Sequence, residues 1–473
     1  MSPGGRERVV SQSETVIHRI PNSLSAANAV VGCDAVSGVD QHQTPRSRSN
    51  VPSLRVNVSW TFLGFAVHAA SQWGVLAILA HLCGPDGVGQ FALALATTAP
   101  IMLLAGMELR LVQSADTQQK YAFAEYLAMR LIGVVVALGV IAAIAITCGF
   151  SAAGATLLFA VGLSKGAEAV ADVFYGQFQQ QERMDLVARS LILRATVSLI
   201  AFAVTIFVTN SLVMGVYLQS VAWLLVVLTF DIPAATQFLP SGWNSVLRHP
   251  LGFSQLSRLL HVATPAGLRT MLLSLENNLP HYFLRRFSTD ATLGVFAALA
   301  YSLIIVQTFA RSVNQPAIPR FAILHSQGDR AEFARLLRRL CGMGFVVGVC
   351  GLLAVLVLGR AFLNVAYGSE FAPHSSVLTI LMAACAVRLL VLPIAASMAG
   401  TNRFVWLFRT QLSAVIVLAA TASFLVPAYG LTGAATSVLV VSFFMLAIYA
   451  WGARVLLQDL FVESKSEQRG DQT

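Results

Sequence analysis

The sequence predicts an all-α polytopic membrane protein of twelve transmembrane helices, arranged as two related halves of six. Three observations predict this class. The 473 residues are 56% hydrophobic and only 11% charged, and their mean hydropathy of +0.71 is too high for a water-soluble globular protein. Many stretches of about 20 residues carry almost no charge, which is the length of a helix that crosses a bilayer. A short motif also recurs six predicted helices apart.

Twelve predicted spans account for the apolar stretches. They cover residues 57–82, 88–111, 125–148, 154–178, 187–209, 212–231, 258–281, 293–315, 340–358, 374–397, 406–426 and 431–452.

The loops fix the predicted orientation. With the N-terminus in the cytoplasm, nearly all of the 31 Lys and Arg residues fall in cytoplasmic segments or the adjoining helix ends, as the positive-inside rule demands. We therefore expect both termini to lie in the cytoplasm. The net charge of +9 then faces anionic lipid, and no nucleic-acid partner is needed to explain it. The exceptions are Arg285, Arg286 and Arg360 in outer loops and Lys165, Arg269 and Arg388 within spans.

The spans divide the chain into five segments. Residues 1–55 are predicted to form a disordered basic cytoplasmic tail, because they are rich in Ser, Asn, Gln, Gly and Pro. An N-terminal six-helix bundle over 56–231 and a C-terminal six-helix bundle over 258–454 are joined by a cytoplasmic linker over 232–257. A second cytoplasmic tail covers 455–473.

The recurring motif predicts how the two halves are related. Residues 89–96, GQFALALA, open the second span, and residues 294–300, GVFAALA, open the eighth. A turn with an acidic residue, Asp86 or Asp290, precedes each copy. Because six spans separate the copies, both halves enter from the same side and are related by an axis along the membrane normal. Transporters built from such repeats bind their substrate between the halves.

Three ionisable residues in the fourth span are candidate functional residues. Lys165, Glu168 and Asp172 stand at positions i, i+3 and i+7, so they share one face of a helix. Against lipid the three charges would cost on the order of 8–10 kcal/mol, at roughly 2.5–3.5 kcal/mol each, which rivals the net stability of a domain. Their face must therefore contact protein or water: either the charges pair and pin helices together, or they line a polar cavity.

Two further spans carry charge at depth. Arg269 and Glu276 in the seventh span are seven residues apart on one face, and Pro265 and Gly267 weaken the helix just before Arg269. Arg388 falls near the middle of the tenth span. Deep basic groups suit an anionic passenger, since an Arg side chain can bind two phosphate oxygens at once. Deep carboxylates suit coupling to protons or Na⁺.

No catalytic chemistry is evident in the sequence. It contains no phosphate-binding loop and no metal-ligand spacing among its His, Cys, Asp and Glu residues. We therefore expect no enzyme, no cofactor and no metal.

Six segments carry a resemblance to a known family. They are LCGPDGVGQFALALA (82–96), SKGAEAVADVFYGQFQQQERMDLVARS (164–190), SLENNLPHYFLRRFSTDATLGVFAALAY (274–301), NQPAIPRFAILHSQGD (314–329), AYGSEFAPHSSVL (366–378) and VPAYGLTGAATS (426–437). Together they resemble the polysaccharide-biosynthesis (Wzx-type) flippases of the multidrug/oligosaccharidyl-lipid/polysaccharide exporter superfamily, over about residues 55–455. His281 stands where members often carry Arg, which weakens the basic character expected there.

The resemblance implies a fold and a function. It implies two six-helix bundles around a central V-shaped cavity, and movement of an undecaprenyl-pyrophosphate-linked oligosaccharide or polysaccharide precursor to the outer leaflet by alternating access. Its partners would be the lipid-linked glycan, anionic lipid and possible glycan polymerase and glycosyltransferase enzymes. Three bases are predicted to hold the pyrophosphate: Lys165, Arg269 and Arg388. Three carboxylates are candidates for ion coupling: Glu168, Asp172 and Glu276.

Two other functions stay open. An ion-coupled drug/cation antiporter of the same superfamily would need an acidic cavity, and the three deep bases argue against one. A non-transporting scaffold for glycan-assembly enzymes could use the basic amphipathic segment over 316–340 as a docking surface. A scaffold would tolerate loss of charge in the fourth span, whereas a transporter would not.

Overall fold

The computed structural model of the protein describes residues 54–116, 119–239, 242–304, 306–307, 310, 314 and 317–470, with only the backbone of Leu54, Arg55, Val58 and residues 459–470. The predicted tail over residues 1–55 lies outside this range, apart from the backbone of its last two residues.

Long helices make up both halves of the described chain. In the N-terminal half they are α1 (Leu54–Gly106), α2 (Leu109–Ala115), α3 (Phe123–Thr147), α4 (Ala152–Gln180), α5 (Met184–Thr209), α6 (Leu212–Val226), α7 (Ile232–Thr236) and α8 (Trp243–Leu247). A π-helical segment, Val227–Asp231, joins α6 to α7. In the C-terminal half they are α9 (Phe253–Phe287), α10 (Asp290–Ser302), α11 (Ala317–Ser326), α12 (Arg330–Tyr367), α13 (Ser375–Gly400) and α14 (Phe404–Gly470).

Two of these helices are each broken by a glycine. Gly84 in α1 has φ 65° and Gly430 in α14 has φ 53°, backbone conformations that favour glycine because it has no Cβ. Unbroken, α1 and α14 would be about 80 and 100 Å long, against a hydrocarbon core of about 30 Å. Each therefore supplies two spans that meet at its glycine, where the sequence predicts turns.

Seven of the described helical segments are long and apolar enough to cross a membrane, the two broken helices among them. The protein is thus a multi-pass, essentially all-helical membrane protein, as predicted. Helices α4 and α9 are 29 and 35 residues long but are not among the seven. They carry five of the six charged site residues that the sequence analysis singled out, all but Arg388.

Polar side chains define where several helices begin. Ser151 accepts a hydrogen bond from the Gly154 amide before α4, and Asp329 accepts one from the Glu332 amide before α12, so each satisfies an otherwise free N–H. From that cap, α12 continues without a break to Tyr367. The second half of the predicted amphipathic segment over 316–340 is therefore continuous with the predicted ninth span, because no proline interrupts the helix.

The buried apolar side chains fall into three groups. The largest draws on both halves and includes Leu79 and Phe91 of α1 and Phe296 of α10. A second group centres on Phe174 in the N-terminal half, and a third on Phe333 in the C-terminal half. The shared group lies toward the end where Gly84 and Gly430 turn the chain, which is the predicted outer end.

The two copies of the repeated motif meet at that end. A Cβ atom on Gly89 would overlap the backbone of Asp290, and a Cβ atom on Gly294 would overlap the backbone of Pro85. The two glycines thus allow α1 and α10 to touch backbone to backbone.

Candidate functional site

Glu276 of α9 and Arg388 of α13 form the most buried ion pair among the predicted site residues. Glu276 Oε1 lies 2.6 Å from Arg388 Nη2, and the side chains are 3% and 20% exposed. Gln411 donates a hydrogen bond to Glu276 Oε2 at 2.6 Å, and Arg388 Nε donates one to the Ser442 hydroxyl at 3.0 Å. Such additional bonds are what make a buried pair tolerable, so α9, α13 and α14 are held together here by polar contacts.

Lys165 and Glu168 pair within α4. Lys165 Nζ donates to Glu168 Oε2 at 2.9 Å, the contact expected one turn apart on a helix. His68 Nε2 lies 3.8 Å from Glu168 Oε1. Both members of the pair are about 30% exposed, because they border open space.

A cavity of about 400 Å³ brings three of the predicted residues together: Lys165, Glu276 and Arg388. Its walls come from α1 and α4 of the N-terminal half and from α9, α10, α13 and α14 of the C-terminal half. Its size is in the range of ligand sites. Aromatic and amide side chains contribute to the lining: Gln72, Phe91, Asn277, Asn278, Phe296 and Tyr301.

A second cavity, of about 360 Å³, lies beside the first and is richer in carboxylates. Asp172 borders it and faces Arg110 Nη1 at 3.3 Å and Arg130 Nη2 at 3.4 Å. The charged residues of its lining are Glu108, Arg130, Lys165, Glu168 and Asp172.

Lys165 stands where the two cavities meet, because it and Ala99 line both. Among the described lining residues, the first cavity has two cations against one carboxylate, whereas the second has two cations against three carboxylates. Lys165 therefore separates a basic space from an acidic one. In this arrangement both bases of the first cavity are held by carboxylates, Lys165 by Glu168 and Arg388 by Glu276.

Arg269 is the predicted base that lies outside both cavities, although its charge acts on Glu108 of the second. Its side chain is exposed and lines neither cavity, although its neighbour Thr270 borders the second. The sequence predicts a weakened helix just before Arg269, but α9 continues through Pro265 without a break. Gly267 instead allows close packing, since a Cβ atom there would come within 2.9 Å of Met107 Cα, in the turn between α1 and α2.

Several partners of the site were not predicted from the sequence. Arg130 lies more than a turn inside the predicted third span, and Gln411 more than a turn inside the predicted eleventh. A polar residue at such depth on a buried face was the available signal. The unpredicted residues that contact or line the site include Glu108, Arg110, Arg130, Gln411 and Ser442.

Two sequence comparisons bear on the identity of the chain. Residues 54–325, more than half of it, match the sequence profile of a family described as polysaccharide biosynthesis protein. The chain is also similar to the capsular polysaccharide biosynthesis protein CapF of Staphylococcus aureus. The two are 25% identical over 396 residues, which cover 83% of this chain and 97% of CapF.

Solved structures share the fold. The lipid II flippase MurJ, in an inward closed conformation, gives a TM-score of 0.67 at 9% identity, over 86% of this chain and 90% of MurJ. A multidrug resistance MATE family transporter of the MOP superfamily, in an inward-facing conformation, gives 0.60 at 12% identity, over 85% of this chain and 95% of the transporter. At these identities the likeness concerns the fold.

Proposed function

The chain belongs to the polysaccharide biosynthesis protein family, and from this premise we propose that it is a flippase that carries a lipid-linked polysaccharide precursor across the membrane. One observation carries the proposal: Lys165, Glu276 and Arg388, from three helices, border one cavity between the halves. A partly basic space at depth suits an anionic passenger. CapF is described as a capsular polysaccharide biosynthesis protein, which supports a glycan as part of that passenger.

The proposal includes an architecture. Twelve transmembrane helices form two six-helix bundles, over 56–231 and 258–454, around the first cavity, and residues 232–257 link the bundles in the cytoplasm. The tails over 1–55 and 455–473 lie on the cytoplasmic side of a bacterial inner membrane. The basic inner surface then faces anionic lipid.

The passenger we propose is a glycan on undecaprenyl pyrophosphate. Its pyrophosphate would contact Lys165 and Arg388, because an ammonium and a guanidinium both bind phosphate oxygens strongly. Aromatic faces such as Phe296 and Tyr301 would contact sugar rings. The lipid tail would stay in the bilayer at the seam between the bundles. Arg269, exposed and outside both cavities, stays a candidate for a contact made as the pyrophosphate enters.

Binding would require an exchange of partners, because both bases are already paired. A pyrophosphate that takes Lys165 leaves Glu168 without its cation, and one that takes Arg388 leaves Glu276 without its own. A buried carboxylate that loses its cation is stabilised by a proton or a metal cation. Glu168, Asp172 and Glu276 are therefore the proposed ion-coupling residues. Glycan polymerases and glycosyltransferases remain proposed partners.

One observation favours a second function, an ion-coupled drug/cation antiporter. The second cavity has more carboxylates than cations, and no hydrogen bond or ion pair to the Glu108 carboxyl is seen within the described chain. An acidic space of this kind suits a cationic drug. The flippase is the better-supported function because it uses the cavity that four helices of the C-terminal half help to line, whereas Thr270 alone brings that half to the second cavity.

Export in a flippase-deficient strain tests the proposal. Removing Arg388 alone would leave Glu276 buried without a cation, so the informative variant is Glu276→Gln with Arg388→Met, combined with Lys165→Met. We expect normal insertion and at least a tenfold loss of surface polysaccharide. Export at the wild-type level would contradict the flippase.

A matched control separates the scaffold from the transporter. Arg335 lies on the exposed face of α12, pairs with Glu332 and is 70% exposed, so Arg335→Gln removes one charge from the basic segment over 316–340 and leaves both cavities intact. A flippase should export normally with Arg335→Gln. Loss of export in that variant, with export retained in the cavity variant, would support a scaffold.

A further inference from the structure

A buried carboxyl group without a partner lies outside both cavities. Asp231, the last residue of the π-helical segment, is fully buried, and neither of its carboxyl oxygens has a hydrogen-bond partner among the described residues. In contrast, Glu168, Asp172 and Glu276 each contact at least one cation within 4 Å. A buried carboxylate with neither donor nor cation is costly in its ionised form.

The cation that faces Asp231 is Arg194 of α5. It is 2% exposed, and its Nε and Nη1 atoms have no acceptor within the described chain. Its guanidinium instead lies over two rings, 4.9 Å from the centre of Trp223 and 5.6 Å from that of Tyr175. Arg194 and Asp231 are thus neighbours that both have unused hydrogen-bonding atoms, which is an arrangement that native structures rarely leave without a ligand.

The other groups around Asp231 can relay a proton but cannot neutralise the Asp231 carboxylate. The Ser190 hydroxyl of α5 is close enough to act on the carboxyl as a weak donor, but it makes no full hydrogen bond to it. It is hydrogen-bonded instead to the Tyr175 hydroxyl of α4 at 2.8 Å. Residues 212–236, which flank the π-helical segment on both sides, contain no other charged side chain. Arg194 is therefore the cation available to Asp231.

The charge of Glu168, the carboxylate that pairs with Lys165, also acts on Arg194. The electrostatic neighbours of Arg194 include Glu168 as well as Asp231, so it stands between the second cavity and the buried carboxyl. One guanidinium can fully compensate only one of these two groups at a time.

The backbone at Asp231 departs from a regular α-helix. The Ile232 amide donates to the Val227 carbonyl, five residues back, and Pro233 has no N–H to donate. Segments of π-helix of this kind are frequent at functional sites, and here the segment ends on the unpartnered carboxyl.

We propose that Asp231 is a proton-binding site, protonated while Arg194 lies away from it, as in this structure, and ionised when Arg194 pairs with it. With Lys165 on Glu168, as in this structure, Arg194 is free to move to Asp231, and that movement releases the carboxyl proton through the Ser190 and Tyr175 hydroxyls. A passenger that takes Lys165 holds Arg194 at Glu168, so Asp231 keeps its proton while the passenger is bound. This coupling to the passenger rests on the proposed function, whereas the proton site itself does not.

Infrared difference spectroscopy of the purified full-length protein in lipid vesicles tests the site without any passenger. At neutral pH we expect the carbonyl band of a protonated carboxyl that is absent from Asp231→Asn and kept in Asp185→Asn. Asp185 is the matched control, since it pairs with Arg183 at 2.8 Å. A wild-type spectrum without the band, or a band that survives in Asp231→Asn, would overturn the proposal.

A second variant keeps the test decisive if Asp231→Asn does not insert. Arg194→Met removes the cation that favours the ionised form, so the band should persist to a higher pH than in the wild type. An unchanged titration in Arg194→Met would overturn the proposal. Loss of export in the cavity variants bears on the flippase alone, so the two proposals fail separately.

Discussion

Glu276 accepts a hydrogen bond at each carboxylate oxygen, from Arg388 and from Gln411, and this places a fully compensated negative charge beside the first cavity. At the scale of single residues, the site is a set of bases that are neutralised in advance. Lys165 and Arg388 are each held by a carboxylate, so an anion binds only by replacing that carboxylate. This explains how so many charges are tolerated at depth without closing the site to a passenger.

A substitution at Glu276 tests how much its pairing with Arg388 contributes to stability. Glu276→Gln leaves Arg388 without its counter-ion and should lower the free energy of unfolding by about 3 kcal/mol, near the lower end for buried pairs because Arg388 keeps some exposure. The double variant Glu276→Gln with Arg388→Met should recover most of that loss. Thermal unfolding of the detergent-solubilised protein measures both, and equal destabilisation of the single and double variants would contradict the account.

The sequence identified charged residues at this scale better than it identified their partners. Lys165, Glu276 and Arg388 stood out because charges interrupt apolar spans, and helical periodicity placed neighbours on one face. Periodicity cannot tell which faces of different helices meet, so it missed the contact between Gln411 and Glu276. It also grouped Arg269 with Glu276, although the Arg269 side chain is exposed and lines neither cavity.

Glycines determine the arrangement of the helices at the next scale. Gly84 and Gly430 turn the chain between spans, whereas Gly89 and Gly294 allow α1 and α10 to touch. The sequence predicted the turns, because glycine and proline interrupt the apolar stretches there. It also predicted the repeat, but the contact between the two copies could not be read from either copy alone.

The close approach of α1 and α10 can be tested with a single methyl group. Gly89→Ala would force Cβ onto the Asp290 carbonyl oxygen, and overpacking of this kind should lower the free energy of unfolding by about 1–3 kcal/mol. Gly139→Ala is the matched control, since no atom of the described residues lies within 4 Å of the point that its Cβ would occupy, and alanine favours helix. Equal unfolding temperatures for the two variants would refute the contact.

The whole molecule combines a shared core at the predicted outer end with separate cores elsewhere. Both halves contribute to the apolar group around Leu79 and Phe296. The group around Phe174 takes only Leu259 and Ala263 of its buried members from the C-terminal half, and the group around Phe333 lies within that half. Apolar residues run along the whole length of the spans, so the sequence predicted two halves but not where their cores join. A molecule joined in this way has room for a passenger between its halves, as alternating access requires.

Accessibility of the first cavity from the two sides of the membrane tests the central claim most directly. Ala300 of α10 lines that cavity. The variant to use lacks all native cysteines and carries Ala300→Cys. A membrane-impermeant maleimide then labels it in sealed vesicles of known orientation. The account predicts labelling from both faces, and protection by an isoprenoid pyrophosphate that is lost with Lys165→Met. Labelling from one face only, or labelling that the pyrophosphate leaves unchanged, would contradict it.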